Sequence, residues 1–165
     1  MTGRRTIIII TALSVAVLVL GFVAVVKAQP PQLEKSASAS VEVVGSKEYD
    51  WGDVDINGGS VERVFQIRNN GESNLEVSNL KTSCMCTQAK FVINGNSSPA
   101  FDMHGSSGWK GTIKPKEVAE VWVVFDPLFH GPEAIGPITR FVSFDTGDVK
   151  NPTVELKLTG NVVKE

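Results

Sequence analysis

Cys84, Cys86, His104 and His130 are the only cysteines and histidines in this chain. Two thiolates and two imidazoles make a Cys₂His₂ donor set, which suits tetrahedral zinc. Thiolates with a neighbouring thioether, from Met85 or Met103, suit copper(I) instead. Both histidines precede glycine, as His104-Gly105 and His130-Gly131. The Cys-x-Cys spacing is shorter than that of the familiar zinc motifs, and the four donors come from three separate segments. Only the fold can bring them together. Two other readings of the cysteines stay open. Free cysteine is among the most buried residue types, so the pair can serve as small core residues. A reactive thiol needs a cationic neighbour, and Lys81 and Lys90 are near in sequence, but no Cys-x-x-Cys on a βαβ pattern is present. A direct disulfide is disfavoured. On an extended strand the two Cα atoms would stand roughly 6.6 Å apart, at the outer edge of disulfide geometry; a turn at Met85 would relax that.

The elements that must position these residues are strands. Val61–Asn69 alternates, with Arg63, Phe65, Ile67 and Asn69 on one face. Leu75, Val77 and Asn79 form a short second alternation. Thr87–Ile93 follows the cysteines. Val118–Phe125 sets Ala119, Val121, Val123 and Phe125 on one side. Arg140–Phe144 comes next. Thr153–Val162 sets Val154, Leu156, Leu158 and Val162 opposite Glu155, Lys157, Thr159 and Asn161. Val41–Tyr49 is a further β-branched run around Gly45. Period two with one polar face describes a half-buried antiparallel strand. Asn57-Gly58-Gly59, Asn69-Asn70-Gly71, Asn94-Gly95-Asn96, Thr146-Gly147-Asp148 and Asn151-Pro152 supply the turns. About seven short strands without an amphipathic helix predict an all-β, immunoglobulin-like antiparallel β-sandwich. Two connections are long for hairpins, Asn94–Glu117 and Asp126–Ile138, and they carry Met103, His104 and His130. Trp109, in a Gly/Ser-rich loop, is a candidate contact or lid residue, whereas Trp51 and Trp122 read as core. Asp50, Asp53 and Asp55 read as turn residues rather than as a calcium loop.

Ahead of the strands, Ile7–Val26 holds no charge. A helix of that length rises about 30 Å, matching the hydrocarbon core of a bilayer. Arg4-Arg5 before it, with the amino terminus, favour a cytoplasmic start and an exported remainder. The run exceeds the h-region of an ordinary signal peptide, so an uncleaved anchor is expected, with cleavage after Ala28 as the alternative. The organisation predicted is a transmembrane segment over 1–28, a Pro/Ser/Ala linker over 29–40 and a sandwich domain over 41–165.

The chain also resembles a family. Trp51-Gly52-Asp53-Val54, Phe65-Gln66-Ile67-Arg68-Asn69-Asn70-Gly71, Leu75, Thr82-Ser83-Cys84-Met85-Cys86-Thr87, Val124-Phe125-Asp126-Pro127 and Leu158-Thr159-Gly160-Asn161-Val162 are similar to the bacterial domain-of-unknown-function family 1573. Its members are immunoglobulin-like modules akin to Hydin and major-sperm-protein domains. Members usually have glycine between the two cysteines, where this chain has Met85. The resemblance implies a sandwich fold and often an exported location, and it implies no activity.

Composition sharpens the partners. The chain of 165 residues carries a net charge of −2. After residue 28, 13 basic side chains face 18 acidic ones, a balance that disfavours nucleic acid. The leading expectation is a non-enzymatic binding or scaffold module, tethered to the membrane through residues 7–26 on the outer side. It would meet a protein partner in the cell envelope through the loops at Cys84–Cys86, His104 and His130. The alternative is an envelope protein binding zinc or copper through Cys84, Cys86, His104 and His130, with Met103 as a further donor. Thiol redox work is the third class.

Overall fold

The computed structural model describes residues 2–27, 32–105 and 108–164; within the helix, side chains are described at 3–4 and 7–22. The chain divides into two units, a helix and a β-domain. The helix α1 spans Thr2–Lys27. Every described apolar side chain from Ile7 to Phe22 in it is exposed. Among the described residues no helix is long and apolar enough to cross a membrane. The cleavage site expected after Ala28, with Gln29, Pro30 and Pro31, lies outside the described residues.

The β-domain contains β1 (Val41–Val44), β2 (Glu48–Asp55), β3 (Val61–Asn69), β4 (Leu75–Thr82), β5 (Thr87–Ile93), β6 (Asn96–Ser97), β7 (Lys110–Ile113), β8 (Val118–Phe125), β9 (Gly136–Thr146) and β10 (Thr153–Val163). They form two five-stranded sheets, in the orders β1-β3-β8-β5-β6 and β2-β10-β9-β4-β7. The predicted strands at Val61–Asn69, Thr87–Ile93 and Val118–Phe125 have the observed bounds. Their alternating apolar positions, such as Phe65, Ile67, Ala119, Val121 and Val123, are buried. Phe91 fills the middle of this core, edge-on to Phe144 with ring centroids 5.0 Å apart.

Three expectations need correction. The run Val41–Tyr49 is not one strand. Gly45, with φ 86°, turns the chain, so β1 joins one sheet and β2 the other. Nor is the sandwich wholly antiparallel, because β2 runs parallel to β10. The supposed contact residue Trp109 instead packs on the core, stacked on Phe91 at 5.5 Å.

The Ser/Ala run also joins the fold before residue 41. Ser36 N–H donates to Gly147 O at 2.9 Å, Glu72 N–H to Ser38 O at 2.8 Å and Asn70 N–H to Ser40 O at 2.8 Å. Ala39 is buried. Gly71 allows this close approach, since the Ser38 carbonyl and the Ala39 Cα stand where a Cβ would project. Asn69 secures the same corner. Its Nδ2 donates to Ser73 O at 2.8 Å and Ile113 O at 2.9 Å, and its Oδ1 accepts from Gly71 N at 2.9 Å.

At one end of the sandwich a second, smaller cluster buries Ile56, Cys86, Phe125 and Val162, flanked by Trp51, Val61, Cys84 and Ile138. This end contains the cysteines.

Candidate functional site

β4 belongs to one sheet and β5 to the other, so the residues between them must cross the end of the sandwich. Ser83–Cys86 make that crossing as a turn, with Thr87 N–H donating to Cys84 O at 3.1 Å. The cysteines therefore sit on a turn and not on the extended strand that would hold them apart. The Thr82 hydroxyl, 2.9 Å from both Cys84 O and Thr87 O, staples the two ends of this turn. Ser83 N–H donates to Phe141 O at 2.9 Å, which fixes the turn to β9.

The β8–β9 connection approaches from the other side. Asp126 N–H donates to Cys86 O at 2.9 Å. The Asp126 carboxylate then accepts from Leu128 N–H at 2.9 Å. Gly131, at φ 94°, closes the turn onto Leu128 O at 2.8 Å. The Phe129 ring meets the His130 ring edge-on at 5.1 Å. The outcome is that His130 Nε2 lies 3.3 Å from Cys84 Sγ.

Cys84 Sγ, Cys86 Sγ and a His130 ring nitrogen all lie within 4.8 Å of one another. Donors bound to one ion at 2.0–2.3 Å would stand about 3.5–3.8 Å apart, so the 3.3 Å Cys84–His130 contact needs only a small expansion. Both cysteines are free thiols. Cys86 is buried, Cys84 half-buried and His130 exposed, so the centre opens to solvent on one side. Met85, Leu128 and Phe129, from the same two segments, are exposed.

Of the four donors expected from sequence, three converge. His104 does not. It is exposed in the turn after Asp102, whose carboxylate accepts from the His104 backbone N–H at 2.8 Å, and it lies outside the cluster; its neighbour Met103 is exposed as well. Its loop is bound to β4 by Thr82 N–H donating to Asp102 O at 3.1 Å. The acidic residues near Trp51 also serve turns: Asp50 accepts from Gly52 N–H at 3.1 Å and Asp55 from Asn57 N–H at 3.0 Å.

Arg140 is the functional neighbour that the sequence did not disclose. From β9 its Nε donates to Cys86 Sγ at 3.1 Å, and its guanidinium lies 5.4 Å from the centroid of the Phe125 ring. None of the ion pairs among the described residues involves it. The sulfur is its charge-assisted partner.

These contacts divide the two thiols. Burial pushes the Cys84 thiol up, but hydrogen bonds from Cys86 and His130, the Cys86 amide and the Arg140 charge outweigh it and bring it down to about 7. Burial pushes the Cys86 thiol up, and its hydrogen bond to Cys84 adds to the rise; Thr87 and Arg140 oppose it without reversing it. One proton thus leaves the pair near neutrality and the second only above the ordinary 9.0. Folding favours the Cys84 thiolate, so that stabilisation is complete above pH 9 and lost as pH falls through about 7. In reduced, metal-free protein, iodoacetamide is expected to modify Cys84 with a pH midpoint near 7 and to spare Cys86. Peptide mapping by mass spectrometry checks this. Two cysteines reacting alike, each with a midpoint near 9, would contradict the division.

The stretch from within β1 to the start of β6, with both cysteines, is similar to a known family model. Residues 43–96 match the family described as protein of unknown function, DUF1573. The DUF1573 segment ends before His130 and Arg140, so it covers the thiol half of the centre alone. No curated protein matches the chain. Among solved structures, a protein of unknown function from Porphyromonas gingivalis W83 is similar at 19% identity and a TM-score of 0.58, over 76% of this chain and 49% of that one. This chain spans about half the length of that relative, and the likeness is one of fold. Weaker similarities include the ASH/PapD-like domain 7 of human CEP192, at 15% identity and a TM-score of 0.47, over 83% of this chain and 93% of that one. Another is the C. elegans major-sperm-protein family member WR4, at 10% identity and a TM-score of 0.42, over 78% of this chain and all of that one.

Proposed function

We propose that this chain is a membrane-tethered binding module of the cell envelope, and that its immunoglobulin-like domain binds a soft metal ion, zinc or copper, at Cys84, Cys86 and His130. The observation that carries the reading is the convergence of two sulfurs and an imidazole nitrogen within 4.8 Å of one another. These donors come from two connections that hydrogen bonds fix against each other. Such a preformed set loses little conformational entropy on binding. Buried, merely structural cysteines would need neither an imidazole contact nor an opening to solvent. The role is binding, with no catalytic residue assigned.

The tether rests on the uncharged run Ile7–Val26 and its basic flanks. It is supported by the exposure of every described apolar side chain of α1, an apolar surface that a bilayer would cover. A domain beyond the membrane would stand in an oxidising compartment, where bound metal also protects thiols from oxidation.

The test is one preparation of full-length chain, expressed without a tag that binds metal and fractionated without chelator. The protein is expected in the membrane fraction with one zinc or copper per chain by elemental analysis. Metal-free protein that takes up neither ion on dialysis would overturn the binding reading. Recovery of the intact chain in the soluble fraction would overturn the tether. Thiol redox work is the second reading, favoured by the Cys84 thiol being held at about 7. It predicts a mixed disulfide between Cys84 and a disulfide substrate where the metal reading predicts retained metal.

A further inference from the structure

We propose that the ion taken by this centre is copper(I), held three-coordinate by Cys84 Sγ, Cys86 Sγ and His130 Nε2, with the Arg140 guanidinium as its counter-charge. This rests on the metal reading above and names the metal.

The first argument is charge. Two thiolates and a neutral imidazole bring −2 to the ion. With zinc(II) that inner shell is neutral. The Arg140 charge against Cys86 Sγ, at 3.1 Å, would then sit beside a neutral complex, with no carboxylate paired to it among the described residues. With copper(I) the shell is −1, and the guanidinium neutralises it. In a partly buried site of low dielectric such matching counts for more than it does in water. The arginine is attached through its Nε to the sulfur itself, so the compensation falls where the charge lies.

The second argument is donor number. Zinc sites take four ligands, or three with an open water position. Among the described residues three donors converge here, and the second histidine stays out. Copper(I) has a filled d shell and accepts three soft donors without a fourth. The donor types are compatible with copper(I), since thiolate and imidazole both bind it, and it is charge and donor number that set it apart from zinc. Met85, between the two cysteines in the same turn, is exposed and offers a thioether at the entrance.

Binding needs no electron transfer. Copper enters as copper(I) from a chelate, the bonds to that chelator break as two Cu–S bonds and one Cu–N bond form, and the protons still held by the two thiols pass to the buffer. The Arg140 proton stays on the guanidinium.

The test uses the full chain in detergent, kept anaerobic with reductant. Copper(I) is titrated against bicinchoninate, and zinc against a chromophoric zinc chelator. One copper(I) per chain is expected, bound more tightly than zinc. Arg140→Gln is expected to weaken copper(I) about tenfold, the usual scale for an outer-shell partner, and to leave zinc unchanged or tighter. Arg140→Lys, which keeps the charge, should restore most of the copper(I) affinity. Circular dichroism confirms that each variant is folded. Zinc bound one to one and more tightly than copper(I) would overturn the choice of metal and leave the binding reading standing. Neither ion bound would overturn both. Equal loss of both ions in Arg140→Gln would overturn the counter-charge.

Discussion

Serine in place of Cys84 is expected to lower metal affinity about a hundredfold to a thousandfold. Structural sites with four ligands bind with about 10–16 kcal/mol, which is roughly 2.5–4 kcal/mol per ligand, or two to three powers of ten in affinity. A three-donor centre has none to spare. Cys84 is the ligand to test because it is half-buried and its neighbour Cys86 lies inside the small core cluster with Phe125 and Val162. Loss of fold therefore confounds Cys86→Ser more than Cys84→Ser. Chelator competition reads the affinity, and an unchanged unfolding midpoint of the metal-free protein shows that the sandwich survives. His130→Ala should also weaken binding and should in addition raise the pH at which Cys84 is alkylated, because the ring is one of the groups that stabilise its thiolate. A Cys84→Ser protein that keeps wild-type affinity would remove Cys84 from the centre.

Asn69→Ala is expected to destabilise the β-domain by about 3–5 kcal/mol, through loss of hydrogen bonds that leaves buried partners unsatisfied at roughly 1–3 kcal/mol each. The side chain has no exposed surface. It holds Ser73 O, Ile113 O and Gly71 N at 2.8–2.9 Å. Its backbone receives a hydrogen bond from Lys116 N and gives one to Glu117 O. One amide thus joins the end of β3, the following turn, the end of β7 and the approach to β8. Neither Asp nor Leu replaces it: Asp lacks the two Nδ2 donors and brings a charge into a buried place, and Leu supplies neither donor nor acceptor. Urea unfolding of the variant measures the effect, and a loss below about 1 kcal/mol would show that water takes over these groups. Cys86, with Cys84 against it, belongs to a core cluster separate from the one nearest Asn69. Metal affinity of the folded fraction should therefore be retained, which distinguishes this variant from Cys84→Ser.

The legible part of the fold is the part where one residue in two is buried. In β3, β5 and β8 the sequence alternates because one face meets the opposite sheet, and local pattern and tertiary environment carry the same information. β7 carries no legible period, because its four residues, Lys110–Ile113, contain one buried position. The break at Gly45 was visible as a glycine, but nothing local says that the next strand changes sheets. The parallel pairing of β2 with β10 joins Tyr49 to Leu158, and no local pattern encodes a partner so distant. The Pro/Ser/Ala run over 29–40 reads as a linker, yet its Ser36–Ser40 part joins the fold. Those residues supply backbone groups to Gly147 and Glu72, and small side chains are what such close approach requires.

By itself the sequence determined the strand alternation, the uncharged run Ile7–Val26, the family likeness and the short list of residues able to bind a metal. All of these depend on residue type and near neighbours. The tertiary structure decided which histidine joins the cysteines. His104 and His130 each precede a glycine in a long loop. The loop of His104 is tied to Thr82 at the end of β4, and the loop of His130 to the turn itself, by Asp126 N–H on Cys86 O; of the two rings, that of His130 reaches the sulfurs. It also decided that Arg140 belongs to the centre, because strand register places its guanidinium on a sulfur 54 residues away in the chain. Convergence is a property of distance in space, and residues this far apart in the chain meet only where sheets, turns and their hydrogen bonds carry them.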